Sequence, residues 1–561
     1  MLKYNYFQSA AFLAFCVSTT AGAQEAPQIL ADKNVAQQNY LPDFSYAGYE
    51  FGLAPVPNVE QVINVADFGA VPDDETDDSA ALKAAIAAAS EKNGAVRVQM
   101  AAGRYILSEI LWIERSDIVL SGMGNGDGGT QLYMPRPLNQ IDDGGALKEV
   151  REYLVELDKR EKQPEANLDV IFSEYSWSAG FIWARTPGGR HATYLERYDR
   201  PITKIADIAG GKRGTKALRM ESVKGLAKGD VLQIHWHNRA GPDGALVKSL
   251  YGNTKEKIGD RHWTIEDRPL VRQATRIEAI NGNQIIIADP LLHDIDSSLP
   301  AYFAEWDHLK NVGLQDFAMI FPENPYFGHH NESGFNGVYF TGVHNGWINN
   351  LTISNADSGI ITDDLANVTI SNIITKGDHP AHYSVHVGNV HNVLIDNVQV
   401  YNPTRHTFTF NTQATKSVYK NSTAWTTPSL DQHAGANHQN LYDNITIHLS
   451  AEGKTEDGTP MFDLYKAGGA GYWKPGHGQF NTQWNINILV DGGVEPGKEI
   501  VIQGTGQGPG ARIIGMHGNR PIRLDYRPDP YVEWLNKPVN SVPSLHTYQL
   551  EQRKKAAKTK P

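Results

Sequence analysis

Cysteine is almost absent from this 561-residue chain, in which Cys16 is the only one. It falls within residues 1–23, which we predict to be a cleavable signal peptide, because Lys3 precedes a short apolar run and small residues up to Ala23 stand before a cut at Gln24. The mature chain would then have no disulfide, no thiol nucleophile and no thiolate metal site. We therefore expect a secreted or periplasmic protein that depends on a large core for its stability.

An excess of positive charge is also absent. The chain has 51 Lys and Arg against 63 Asp and Glu, so its formal net charge is −12, which argues against a general nucleic-acid binder. No run after the signal segment is long and apolar enough to predict a membrane-spanning helix. Hydrophobic residues make up 40% of the chain, which excludes a disordered protein.

A strand, an acidic turn and an alanine-rich helix follow one another near the start of the chain. The run VADFGAVPDDETDDSAALKAAIAAA occupies residues 65–89, with a helix predicted from Ala80 to Ala89, and GAVRVQMAAGRYIL follows at 94–107. This arrangement resembles the opening of the pectate-lyase-superfamily right-handed parallel β-helix proteins. The resemblance implies an all-β fold, a right-handed parallel β-helix with an N-terminal capping helix and inserted loops. It leaves the reaction open, since that superfamily includes lyases, glycoside hydrolases, epimerase-like enzymes and phage tailspikes.

An internal repeat independently indicates a solenoid. A short apolar and β-branched phrase with a central asparagine recurs at spacings of 22, 25, 24 and 23 residues, and its asparagines are Asn350, Asn372, Asn397, Asn421 and Asn444. One strand motif per twenty-odd residues is typical of a solenoid. We interpret the asparagines as structural, because stacked amides can donate and accept hydrogen bonds from coil to coil.

The pattern divides the chain into six segments. We predict the signal peptide at 1–23, an irregular lead-in at 24–58, the cap and first coils at 59–130, an inserted β-rich region at 131–300, the main coils with the active site at 301–525, and a C-terminal tail with a frayed basic end at 526–561.

The main coils contain a segment dense in titratable side chains. In His382-Tyr383-Ser384-Val385-His386, polar and apolar residues alternate, so the histidines should share the outer face of a strand and Tyr383 the inner face. Counted back from the repeated asparagines, His382 aligns with His406 and His386 with His433. The candidate catalytic residues are His382, His386, His406, His433, Tyr383 and Arg405, and Lys416 and His438 are candidate substrate-binding residues.

These residue types suit β-elimination on a uronate-containing polysaccharide. The reaction needs a base for the C5 proton and positive charge or strong donors on the uronate carboxylate. The expected partner is therefore an anionic polysaccharide, and nothing in the pattern fixes an oligomeric state.

Two other functions remain open. A glycoside hydrolase needs two carboxylates, for which the candidates are Asp357, Asp363, Asp364 and Asp378. A non-catalytic glycan-binding solenoid is the second. No cofactor is required by these readings, although Ca²⁺ bound through the aspartates is compatible with them, and zinc on His382 and His386 is a weaker hypothesis because their segment is predicted to be a strand.

An earlier aromatic and basic constellation adds candidates for sugar binding. Exposed aromatic rings stack on sugar faces, and nearby Arg and His side chains can bind acidic groups. The candidates in this region are Trp236, His237, Arg239 and His330.

Overall fold

The structure is a computed structural model that describes residues 26–141, 173–188, 202–264, 268–426, 428–450, 453–465 and 467–559. The predicted signal peptide, with Cys16, lies outside these residues, as does part of the predicted inserted region. No helix in the described ranges is long and apolar enough to cross a membrane.

Strands dominate the described chain. The helices are α1 (Gln28–Ala31), α2 (Lys33–Asn39), α3 (Ser79–Ser90), α4 (Ala245–Tyr251), α5 (Arg261–Thr264) and α6 (Leu545–Lys558). The first strands are β1 (Val62–Asn64), β2 (Val96–Gln99), β3 (Gly103–Ile106), β4 (Leu111–Ile113), β5 (Ile118–Ser121), β6 (Thr130–Tyr133) and β7 (Ile182–Ala184). Six more follow, β8 (Lys204–Gly211), β9 (Ala217–Met220), β10 (Val231–Trp236), β11 (Val271–Asn281), β12 (Gln284–Ile287) and β13 (Ala301–Ala304).

The central strands are β14 (Leu309–Lys310), β15 (Gly313–Ile320), β16 (Asn336–His344), β17 (Trp347–Ser354), β18 (Ser358–Ala366), β19 (Thr369–Lys376), β20 (Ala381–Val387), β21 (Val390–His391), β22 (Leu394–Val400), β23 (Thr404–Asn411), β24 (Val418–Lys420), β25 (Thr423–Ala424), β26 (Leu430–His433), β27 (Leu441–Asp443) and β28 (Thr446–Leu449). The last are β29 (Gly453–Lys454), β30 (Pro460–Phe462), β31 (Thr482–Trp484), β32 (Asn487–Val490), β33 (Ile500–Gly504), β34 (Arg512–Ile514), β35 (His517–Gly518), β36 (Ile522–Tyr526) and β37 (Tyr531–Glu533).

Parallel pairing between successive coils builds a three-faced solenoid, which confirms the predicted right-handed parallel β-helix. The first face is the series β1, β2, β5, β15, β17, β19, β22, β24, β27, β31, β34 and β37. The second face runs from β3 and β6 through the far halves of β15, β17, β19 and β22 to β25, β28, β32 and β35. The third face is β4, β7, β16, β18, β20, β23 and β26.

The repeated asparagines make the corner between the first and second faces. Each adopts a left-handed conformation, with φ of 58° at Asn350, 56° at Asn372 and 59° at Asn397. Their side chains form a partial ladder: Asn397 Nδ2 donates to Asn372 Oδ1 at 2.9 Å and Asn444 Nδ2 donates to Asn421 Oδ1 at 2.8 Å. Asn372 and Asn421 instead donate to Asn349 and Asp396, each one position before a repeated asparagine. Asparagine tolerates this conformation better than most residues, so the ladder is structural, as the repeat predicts.

Side chains at the same position of successive coils form columns that fill the interior. Ile348, Ile370, Ile395, Tyr419 and Tyr442 pair in register from coil to coil, and each is buried. The predicted helix caps the start of this core as α3, whose Leu82, Ile86 and Ala89 pack against it. Continuous apolar columns are what bury enough area to hold a chain that has no cross-links.

A six-stranded antiparallel barrel interrupts the solenoid. Strands β8 to β13 close in the order β10, β11, β12, β9, β8, β13 and surround an apolar core of their own. The barrel contacts the corner between the first and third faces, where Gln413 Nε2 donates to the carbonyls of Pro269 and Leu270 and His391 Nε2 lies 2.8 Å from Asp289. It lies within the region predicted as an insertion, which also contributes β6 and β7 to the solenoid.

The two ends of the chain cover the rest of that corner. In the lead-in, Glu50 N donates to Asn345 Oδ1 and the carbonyl of Tyr46 accepts from Asn367 Nδ2. Helix α6 packs on the lead-in, and Gln549 Oε1 accepts from Phe44 N at 2.8 Å. The expected frayed tail is therefore wrong for these residues, because side-chain contacts with the lead-in hold the basic helix in place.

Substitution of Asn397 tests the corner. Asn397→Ala should lower the free energy of unfolding by about 1–2 kcal/mol, because alanine is strained at positive φ. Asn397→Gly should cost less than Asn397→Ala, since glycine has no side chain to strain. Chemical denaturation of both variants measures this, and an equal or larger loss for the glycine variant would contradict the conformational explanation.

Candidate functional site

The candidate site lies on the third face, where the segment between β15 and β16 folds over β20 and β23. His329 in this segment approaches both strands, with its Nε2 atom 3.3 Å from His382 Nε2 and 3.3 Å from His406 Nε2. His330 stacks on His329 with ring centroids 3.8 Å apart, and Trp177 packs 4.8 Å from His330. Imidazole rings from the segment and from two coils therefore meet at one place.

Buried carboxylates support these imidazoles from behind. His382 Nδ1 lies 3.0 Å from Glu332 Oε1, and His406 Nδ1 lies 2.9 Å from Asp431 Oδ2. Glu332 is itself held, because it accepts from Ser176 Oγ at 2.5 Å. Neither contact has the geometry of a hydrogen bond, so the carboxylates act on these rings through their charge, which favours a proton on Nδ1 and leaves Nε2 as the atom presented to the site.

Asp431 also contacts His433, a residue of its own strand β26, at the edge of the cluster. His433 Nδ1 lies 2.9 Å from Asp431 Oδ2, and the Gly468 amide donates to Asp431 Oδ1 at 3.2 Å. Gly468 and Lys474 line an open cleft of about 680 Å³. His433 lies directly behind Gly468, because a Cβ atom added to that glycine would stand 2.0 Å from His433 Nδ1.

The surroundings favour the neutral form of His382 and His433 and the ionised form of Asp431. Burial lowers the pKa of His382 well below its ordinary value, and the neighbouring imidazoles lower it further. Burial also lowers the pKa of His433, against the opposing effect of Asp431. Burial alone would raise the pKa of Asp431, but the charges of His433 and His406 and the hydrogen bond from His433 outweigh it and hold that pKa below its usual range.

The positive charge at the site therefore comes from lysine and arginine. Lys474 lines the cleft, its Nζ donates to the Gly468 carbonyl at 2.7 Å, and burial lowers its pKa while Asp431 opposes that effect. Lys257 lines the same cleft. The predicted Arg405 is exposed, with its guanidinium 5.9 Å from the ring centre of Tyr326.

The register of the coils differs from the predicted alignment. Tyr383, and not His382, pairs with His406, while His386 pairs with Thr409. Counting back from the asparagines assumes that every coil has the same number of residues between the third face and the asparagine corner. The coil with His406 has one residue more there than the coil with Tyr383, so the count misplaces His406 by one position. A one-residue difference changes which side chains are neighbours.

The predicted row of histidines is covered and not open to solvent. His382 and His386 are fully buried, and His386 Nδ1 lies 3.1 Å from the Thr362 carbonyl. Val385 belongs to the solenoid core as predicted, but the ring of Tyr383 packs between His382 at 4.2 Å and His386 at 4.7 Å instead. The covering segment and the neighbouring coil account for this burial.

Three of the four candidate aspartates are held by hydrogen bonds to other parts of the chain. Asp364 is covered by the barrel, where Gln233 Nε2 and Trp306 Nε1 donate to its two oxygens, and Asp363 accepts from Asn389 Nδ2. Asp357 accepts from the backbone of the covering segment and from His379, whereas Asp378 is exposed.

Five candidate binding residues lie away from the cluster. Lys416 is buried beneath the lead-in, where its Nζ donates to the Asp43 carbonyl at 3.3 Å, and His438 Nε2 lies 2.9 Å from His293 Nε2 at the barrel contact. The other three are on the barrel: Trp236 lies in its core, His237 stacks on Tyr302, and Arg239 is exposed. Of the predicted binding residues, the structure places His330 in the cluster.

Three residues of the site were not found from the sequence. Glu332, Lys474 and Trp177 lie in irregular segments outside the repeat, so no register argument could align them with the histidines. Asp431 is a further residue to which the sequence analysis assigns no role, although its position within the repeat could have placed it beside the histidines. The donors that converge here are imidazole nitrogens, which suit a transition metal better than the Ca²⁺ considered from the sequence.

Comparisons with known proteins bear on the fold. Residues 62–133 match the family model described as rhamnogalacturonase A/epimerase, pectate lyase-like. A search of curated protein sequences finds no match.

Solved structures with a similar backbone include the tailspike protein gp49 from Pseudomonas phage LKA1, at 12% identity and a TM-score of 0.41 over 84% of this chain and 77% of that chain. The family 28 exopolygalacturonase of Yersinia enterocolitica gives 13% identity and a TM-score of 0.32, covering 87% and 80% of the two chains. The A-module of Azotobacter vinelandii mannuronan C-5 epimerase AlgE4 gives 12% identity and 0.32, covering 85% and 96%.

At these identities the β-helix assignment rests on the strand pairing described above and not on the neighbours. The family-model match adds a relationship for the first coils and the cap. The chain is a right-handed parallel β-helix protein that is similar over residues 62–133 to the family model described as rhamnogalacturonase A/epimerase, pectate lyase-like.

Proposed function

We propose that this protein is an exported carbohydrate-active enzyme that cleaves an acidic, uronate-containing polysaccharide by β-elimination. The observation that carries the proposal is the His433–Asp431 pair directly behind Gly468, which lines a cleft that also presents Lys474 and Lys257. Elimination needs a base beside a source of positive charge, and this is where the described residues bring the two together.

The geometry suits His433 as the base. Asp431 accepts a hydrogen bond from His433 Nδ1. The lone pair of the ring is therefore on Nε2, where it can accept the C5 proton of the uronate. The electrons of the C5–H bond form the C4–C5 double bond as the C4–O4 bond breaks. The imidazolium on His433 then returns a proton to the departing O4. Lys474 stabilises the substrate carboxylate as charge develops at C5.

Hydrolysis is the second candidate. Three of the aspartates predicted for it are engaged by other groups of the protein, since Asp364 accepts hydrogen bonds from the barrel side, Asp363 from Asn389, and Asp357 from the covering segment. The cleft, however, presents two other carboxylates, Glu256 and Asp463, which a hydrolase could use as acid and base or nucleophile. A non-catalytic glycan-binding role would need the cleft and no reacting pair.

The purified protein should therefore be incubated with acidic and neutral polysaccharides while the absorbance of the unsaturated uronate and the number of reducing ends are recorded together. We expect both signals to rise on an acidic polysaccharide. New reducing ends without absorbance would overturn elimination in favour of hydrolysis. Binding to a glycan with neither signal would favour the binding solenoid.

A substitution of the base should separate chemistry from binding. His433→Ala should lower kcat by about 10²–10⁴-fold, because general base catalysis contributes that much, and should change KM little. His448→Ala is a matched control, since His448 pairs with Asp491 on the outer surface, away from the cleft. Unchanged kcat in His433→Ala would exclude His433 as the base.

A glycine beside the base offers an independent test. A Cβ atom at Gly468 would lie 2.0 Å from His433 Nδ1 and 2.9 Å from Asp431 Oδ1, so Gly468→Ala must displace the ring. We expect a loss of activity of about 10²-fold, the effect of a displacement of about 1 Å at a catalytic group. Gly492→Ala is the control, because no atom lies within 4 Å of its added Cβ. Equal activity in the two variants would show that the His433 position is unimportant.

A further inference from the structure

We propose that His329, His382 and His406 form a transition-metal site, with Zn²⁺ the ion that best fits the donors. This metal binding is independent of the reaction proposed above. The three residues come from the covering segment and from two successive coils of the third face, so the solenoid and the segment must both be folded for the site to exist.

The distances match those of a tetrahedral ion. His329 Nε2 lies 3.3 Å from His382 Nε2 and 3.3 Å from His406 Nε2. Two nitrogens bound to zinc at about 2.0–2.1 Å with tetrahedral angles lie about 3.3–3.4 Å apart. His329 Nε2 is therefore spaced from each of the other two nitrogens as two ligands of one ion are, and His329, His330 and His382 have ligand atoms that all lie within 4.8 Å of one another.

Protons cannot satisfy all three nitrogens. The carboxylates of Glu332 and Asp431 face Nδ1 of His382 and His406, at 3.0 Å and 2.9 Å, and so favour lone pairs on both Nε2 atoms. A proton on His329 Nε2 can form a linear hydrogen bond to only one of the two. A cation among the three satisfies every lone pair at once, whereas facing lone pairs in a buried place repel each other.

The surroundings also resemble those of bound metals. Metal-binding histidines commonly give their second nitrogen to a carboxylate, which fixes the ring and increases its basicity. Glu332 and Asp431 stand in this position, and the side chains of both are fully buried. Three imidazole ligands favour zinc over Ca²⁺ or Mg²⁺, which take oxygen ligands.

The fourth position remains for His330, water or substrate. A ligand atom of His330 lies within 4.8 Å of the ligand atoms of His329 and His382. His329 and His330 are only half-buried, so the site can be reached from outside. If the proposed elimination holds, an ion here could bind the uronate carboxylate beside His433, because Asp431 joins His406 to His433; this role rests on the proposed function.

Metal binding should be measured on the full chain without any polysaccharide. The purified protein is stripped with a chelator, titrated with Zn²⁺ against a chromophoric chelator, and analysed for metal content. We expect one Zn²⁺ per chain. Zinc-edge X-ray absorption should show imidazole scattering, and Co²⁺ in place of zinc should give the visible bands of a tetrahedral site.

Three variants test the assignment. His329→Ala and His406→Ala should each weaken Zn²⁺ binding more than 100-fold, and Glu332→Gln should weaken it about 10–100-fold, the usual effect of losing a supporting carboxylate. His448→Ala should bind as the parent does. Circular dichroism and thermal unfolding of each variant show whether it is folded, and His329→Ala should fold because its side chain is half-buried in the covering segment.

The results separate this inference from the proposed reaction. A parent protein that binds no Zn²⁺ stoichiometrically, X-ray absorption without imidazole ligands, or folded His329→Ala and His406→Ala variants with unchanged affinity would overturn the metal site. Zinc binding without formation of unsaturated uronate would leave the metal site standing and overturn elimination.

Discussion

Hydrogen bonding between parallel coils is the constraint on which the rest of this structure depends. Neighbouring coils lie about 4.8 Å apart, so residues at one position form a column along the solenoid. Each coil must turn at fixed places to keep this pairing, and the left-handed asparagines at Asn350, Asn372 and Asn397 provide one of these turns. The apolar interior and the side chains of the third face both inherit their order from this pairing.

Parts of the fold that depend on local pattern could be predicted, whereas the site depends on contacts that local pattern does not contain. The asparagine spacing predicted the solenoid, because each coil needs the same turn at the same place. The alanine-rich segment predicted the capping helix. The predicted pairing of His382 with His406 is wrong, because turns of unequal length shift the register by one residue. Glu332 reaches His382 only through the tertiary fold of an irregular segment.

Covered surfaces explain why the predicted aspartates and several binding residues are not in the site. The lead-in, the barrel and α6 occupy the corner between the first and third faces and bury Lys416, Asp364 and His438 there. These side chains satisfy hydrogen bonds between parts of the chain that are distant in sequence. A residue list from sequence alone cannot distinguish this use of a polar side chain from a use at a binding site.

The covering of that corner also determines where a ligand can bind. The chemistry is concentrated where the segment with His329 and the loop with Gly468 leave the solenoid, and the inserted region also reaches this place, because Glu256 and Lys257 line the same cleft as Gly468. Burying several imidazoles costs free energy unless each nitrogen finds a partner. The nearby carboxylates supply negative charge beside Nδ1, and the converging Nε2 atoms leave a requirement that a bound cation would meet. The arrangement that lowers the stability of the fold therefore also allows this part of the third face to bind a cation.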